Sequence, residues 1–84
     1  MEDAQLRETL QRLRAEIEQL GPEDAAVQAR LNLLVADVER RLEGADDDGL
    51  IDNIKESVEQ FEVKHPRATA ILNDVMLALS NMGI

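Results

Sequence analysis

Cysteine, tryptophan and tyrosine are absent from this 84-residue chain, and it holds one phenylalanine, Phe61, and one histidine, His65. Without cysteine there can be no disulfide, no cysteine-bound zinc or iron–sulfur centre and no thiol nucleophile. A reducing compartment is compatible with that composition. With one aromatic side chain, the core must come from leucine, isoleucine and valine. A chain this short buries only about 60–65% of the surface its unfolded form exposes. The length allows one domain, residues 1–84. Long apolar runs are missing too. The most apolar stretch, residues 68–84, is broken by Thr69, Asn73, Asp74, Ser80 and Asn81, and it is too short and polar to span a bilayer. The start, Met1-Glu2-Asp3-Ala4-Gln5, is acidic and lacks the basic-then-apolar order of a signal peptide. The expectation is a soluble protein of the cytoplasm.

Positive charge is scarce. Nine Lys and Arg stand against eighteen Asp and Glu, a net charge of −9. Such a surface repels nucleic-acid phosphates and anionic lipid headgroups, so neither nucleic acid nor membrane is an expected partner. Arg40-Arg41 is too small a basic patch to change that. The charge is also uneven: −4 over residues 1–43, −5 over 44–64 and zero over 65–84.

What the chain does have is helical periodicity. Leu6, Leu10, Leu13, Ile17 and Leu20 recur in steps of four and three, which predicts a helix over about 3–20. Asp3/Arg7 and Glu8/Arg12 would stand one turn apart on it. Gly21-Pro22 should end it, with Gly21 in the left-handed conformation and Pro22 opening the next helix. Val27, Leu31, Leu34, Val38 and Leu42 mark that second helix, about 22–43, with Asp37/Arg41 as a further pair and Gly44 closing it. The short link makes the two an antiparallel hairpin. Residues 43–49 read as a loop. Its three aspartates do not fit a calcium loop: starting at Asp46, Leu50 falls on the fifth position and Ile51 where the turning glycine is needed. Asp47 or Asp48 instead suits a cap for a third helix, about 49–64, whose face is Leu50, Ile51, Ile54, Val58 and Phe61. Pro66 pushes His65 out of helical conformation. A fourth helix, about 66–82, should follow, with a kinked continuation as the alternative.

The fourth helix is the unusual one. Ala68, Ile71, Leu72, Val75, Leu79 and Met82 form its main face, Ala70, Met76, Leu77 and Ala78 lie outside it, and only Arg67 and Asp74 are charged. Apolar residues on several faces mean burial on more than one side. The expected architecture is an all-α bundle of four helices in antiparallel hairpins, with coiled-coil-like seams, completed by oligomerisation. A homodimer is the favoured form. The candidate interface is Ile71, Leu72, Val75, Met76, Leu79 and Met82.

No constellation for catalysis is present. His65 could be oriented by Glu62 for acid–base work; the structural alternative packs its ring on Phe61 at a helix end. The carboxylates are spread over helix surfaces, and Gly21, Gly44, Gly49 and Gly83 mark helix edges rather than a phosphate loop. No catalytic, metal or cofactor site is expected.

The run Phe61-Glu62-Val63-Lys64-His65-Pro66 and the ending Leu79-Ser80-Asn81-Met82-Gly83-Ile84, with Leu6-Arg7-Glu8-Thr9-Leu10, resemble a family of short uncharacterised bacterial proteins, a domain of unknown function, over nearly the whole chain. The resemblance implies a bacterial, cytosolic protein and assigns no activity or cofactor. Its characteristic positions fall on Phe61, His65, Pro66, Ser80, Asn81, Gly83 and Ile84, with no role attached. The leading expectation is a non-enzymatic, self-associating helical protein with a structural or regulatory role. The alternative is an acidic binding module or adaptor for a larger partner. In that case residues 46–62 would steer a basic surface, and a dissociable fourth helix would supply apolar contact.

Overall fold

Strong helix formers and apolar residues three and four apart produce four helices: α1 (Glu2–Glu18), α2 (Ala25–Leu42), α3 (Leu50–Phe61) and α4 (Pro66–Asn81). The computed structural model describes residues 2–44 and 49–82, with side chains from Ala4 onward. All regular structure among the described residues is helical. The expected aspartate cap at residues 47–48, and the role of Gly83 and Ile84, lie outside them.

The boundaries differ from the sequence expectation mainly at the links. Pro22–Asp24 forms one turn of 3-10 helix before α2 begins. Gly21 is extended, at φ −83° and ψ 175°, not left-handed. The α1 end is closed differently: Leu20 N–H donates to Ile17 O at 3.1 Å, and Gln28 Nε2 on α2 donates to the same carbonyl at 3.1 Å. A side chain from the second helix thus satisfies one of the terminal carbonyls of the first. Gly44 and Gly49 do take positive φ, 99° and 96°, a conformation that costs any residue with a Cβ. The third helix stops at Phe61, earlier than expected, and residues 62–65 turn before Pro66 opens α4. Helices three and four are therefore separate.

The four helices form a ring in chain order. α1 touches α2 and α4, α3 touches α2 and α4, and the diagonal pairs stay apart. Neighbours run antiparallel. Arg14 meets Glu39 and Ile17 meets Gln28 on one seam; Asp24 meets His65 and Arg30 meets Ser57 on another. The α1–α2 and α3–α4 links consequently share one end of the bundle. Its Cα radius of gyration, 12.1 Å, is that of a closed domain, for which this length gives about 12 Å.

One core runs through the ring, built from Leu6, Leu10, Leu13 and Ile17 of α1, Leu31, Leu34 and Val38 of α2, Leu50 and Ile54 of α3, and Leu72, Val75 and Leu79 of α4, among others. Each fully buried leucine contributes about 1.5–3 kcal/mol. Two threonines are buried as well, and each turns its hydroxyl back on its own helix: Thr9 to Gln5 O at 2.9 Å, Thr69 to His65 O at 3.2 Å and Pro66 O at 3.1 Å. Among the described residues no buried side-chain nitrogen or oxygen lacks a partner. Much of the apolar surface of α4 is covered within the chain, since this helix packs against both α1 and α3, while Ala70 and Leu77 stay exposed. Ala78, expected outside its main face, is buried, and Met76 is half-buried.

Surface ion pairs follow the tertiary structure more than the helical spacing. Arg12 Nη1 reaches Asp74 Oδ2 on α4 at 3.2 Å, where the i,i+4 pattern pointed to Glu8. Asp37 is paired with Arg40, three residues on, where Arg41 was expected. The Asp3 partner of Arg7 lies outside the described side chains.

Candidate functional site

The link-sharing end holds the chain's only histidine and only phenylalanine. Pro66 removes His65 from the helix. His65 N–H still donates to Phe61 O at 2.8 Å, and its carbonyl accepts the Thr69 N–H at 3.1 Å. These bonds fix the ring between two neighbours. Phe61 meets it edge-on, with centroids 6.5 Å apart and an interplanar angle of 77°. Nε2 lies 3.4 Å from Asp24 Oδ1. The carboxylate facing His65 thus comes from the other link, not from Glu62, which is exposed. Asp24 stands at the start of α2 but makes no capping bond to it; its side chain reaches across the end of the bundle instead. The two side chains are 14% and 27% exposed.

A shallow groove begins beside this contact and runs along the α2–α3 seam. Val27 and Phe61 form its floor, shared by a hollow of about 370 Å³ at the link end and one of about 340 Å³ further along. Glu23, Asp24 and Glu56 edge it, with Lys64 and Arg30 as the cations. Val63 lines its mouth and is 87% exposed. The seam opens because α2 presents polar side chains where its neighbours present leucine. Ser57 is fully buried on α3, and Arg30 Nε reaches its hydroxyl at 3.3 Å. The half-buried arginine thus bridges the seam, with part of its side chain lining the groove.

The residues singled out from sequence divide clearly. Phe61, His65 and Pro66 meet at the link end. Ser80 and Asn81 stand exposed at the opposite end of α4, about 20 Å away at 1.5 Å per residue; Gly83 and Ile84 lie beyond the described residues. Of the candidate interface, Ile71, Leu72, Val75 and Leu79 are buried in the chain's own core, and Met76 and Met82 are half-buried at its edge. Sequence reasoning missed Asp24, Gln28 and Arg30. The signal that could have found Gln28 and Arg30 is the pair of long polar residues interrupting the apolar spacing between Val27 and Leu31. No cluster of three metal-ligating side chains occurs among the described residues. None of their helices is long and apolar enough to cross a membrane.

An antiparallel four-helix ring with a single aliphatic core defines the chain as a small helical-bundle domain. The chain belongs to the family called domain of unknown function DUF4404, whose model matches residues 6–84. No curated protein and no solved structure matches it.

Proposed function

We propose that this chain is a non-enzymatic helical protein that self-associates, in a structural or regulatory role, through the outer face of α4. The observation that carries this reading is a row of exposed, uncharged residues. Ala70, Asn73, Leu77 and Ser80 follow one another in steps of three, four and three, with Asn81 beside them, and all are exposed. Leu77, at the centre, is 63% exposed. The one carboxylate of α4, Asp74, is half-buried and drawn toward α1 by Arg12. At a net charge of −9, two copies repel across most of their surfaces. Their approach is least opposed where no carboxylate stands, and a helix face pairing with itself makes the common twofold dimer.

Four of the six candidate interface residues are buried within the chain itself, and Met76 and Met82 are half-buried at the core's edge. Ile71, Leu72, Val75 and Leu79 hold the bundle together, and the adjacent row faces the second copy. One leucine among small and amide side chains covers little apolar area, so the dimer is weak and concentration-dependent. The chemistry-bearing residues fit a non-catalytic reading. Ser57 is engaged by Arg30, Ser80 stands at the far end of α4, and His65 faces Asp24 and Phe61.

Sedimentation equilibrium over a wide concentration range tests this. The apparent mass should rise above the 9.4 kDa of the single chain as concentration increases, and Leu77→Asp should hold it at the monomer value with helix content unchanged. A monomer at every concentration, or an association that Leu77→Asp leaves intact, would overturn the proposal.

A further inference from the structure

We infer that the α2–α3 groove is a docking site for a basic segment carrying an apolar anchor residue, contributed by a different protein. The groove has a floor of the right kind. Val27 and Phe61 are only half-buried within the chain, and Val63 projects at the mouth with most of its side chain in water. An apolar side chain laid over the three would complete burial that the fold leaves unfinished. The rim supplies the charge preference. Glu23, Asp24 and Glu56 edge the groove. Against them are the two cations Lys64 and Arg30, and the chain as a whole carries a net charge of −9. The imbalance favours a cationic partner and disfavours a second copy of this acidic chain.

The α2–α3 seam, rather than a released α4, is the face that would serve an adaptor. The α4 helix is tied into the core on two sides, so it cannot be released without losing the bundle. The α2–α3 seam is already parted. It admits a segment along about two to three helical turns, held by an apolar contact at Phe61 and charged contacts along the rim, as in helix-in-groove recognition. This reading stands independently of self-association through the outer face of α4, which lies on the diagonally opposite side of the ring from α2.

The probe is a synthetic amphipathic peptide of leucine and lysine, with a scrambled control of the same composition and an acidic version with glutamate for lysine. Binding to the full chain is followed by fluorescence anisotropy, and the site by amide chemical-shift changes. The inference expects shifts centred on Val27, Gln60, Phe61 and Val63, and affinity that falls with salt. Val63→Asp and the pair Glu23→Lys with Glu56→Lys alter exposed positions only; the charge reversal should weaken binding by about tenfold or more. Absence of binding at millimolar peptide would overturn the inference. So would equal binding of the scrambled or acidic peptide, or shifts centred on α4. Concentration-dependent shifts of the groove residues without peptide would assign the groove to a second copy and overturn it equally.

Discussion

Helices α2 and α4 are of similar length and both draw on leucine, valine and alanine, but the bundle holds them differently. Along α4, seven of sixteen residues are buried, from Ala68 at its first turn to Leu79 near its last. Along α2, four of eighteen are buried, and the first of these is Leu31. The difference lies in what stands between the large apolar residues. On α4 the intervening buried positions are Ala68, Thr69 and Ala78, small enough to let neighbouring helices approach and cover the rest. On the first turns of α2 stand Gln28 and Arg30, half-buried long polar side chains that stay in contact with water and reach α1 and α3 by single hydrogen bonds. Close packing and an open seam thus follow from side-chain size at a few inward positions. The tight side supplies stability, and the loose side supplies accessible surface.

The largest test of that contrast is truncation on each helix. Leu79→Ala should cost about 2–5 kcal/mol, a large share of the stability of so small a domain, while Val27→Ala should cost about 1 kcal/mol or less. Urea unfolding followed by circular dichroism measures both; equal losses would mean that α2 is as firmly held as α4. Hydrogen exchange should agree, with amides of Leu72 to Leu79 among the slowest and those of Gln28 to Arg30 opening well below the global free energy.

The polar plug of the loose seam offers an asymmetric test. Arg30→Ala strands the buried Ser57 hydroxyl and should cost about 1–3 kcal/mol, whereas Ser57→Ala leaves a half-exposed arginine that water can serve and should stay within about 0.5 kcal/mol of the parent. The same unfolding assay decides it: a Ser57→Ala loss as large as that of Arg30→Ala would show that the pair itself stabilises the seam. At the links, Gly49→Ala should cost about 1 kcal/mol because of its positive φ. Gly21→Ala should change stability by less than about 0.5 kcal/mol, since the backbone there is extended and the atoms nearest an added Cβ belong to the movable carboxylate of Glu23. The smallest effect belongs to Arg12→Ala. Its pair with Asp74 is about half exposed on both sides, and such pairs contribute about 0–1 kcal/mol.

Much of the fold was legible in the residues. The steps of three and four on α1 mark Leu6, Leu10, Leu13 and Ile17, and these line the core; Pro66 separates α3 from α4 because the residue before a proline leaves the helical region. The link at Gly21 is less legible. A glycine before a proline suggests a left-handed end, but Gln28, eleven residues from Ile17 and on another helix, satisfies the Ile17 carbonyl that such an end would have closed. The candidate site was less legible still. His65 stood out as the only histidine, and Glu62 was its nearest carboxylate in sequence. Asp24 is forty-one residues away and meets it only because two links fall at one end of the bundle.

By itself the amino-acid sequence determined that the chain is helical, where its helices break, and that its last helix carries apolar side chains on more than one face. Those properties come from local periodicity, proline and glycine, and the count of charged residues, all of which act over a few residues of chain. Only the tertiary structure decided what covers that last helix. The answer was α1 and α3 of the same chain, because a closed ring gives every helix two neighbours, and the small residues of α4 let both come close. The same closure left Leu77 facing outward and Val27, Phe61 and Val63 beside a parted seam. Which apolar residues remain in water depends on the relative placement of whole helices, and no single helical stripe contains that information.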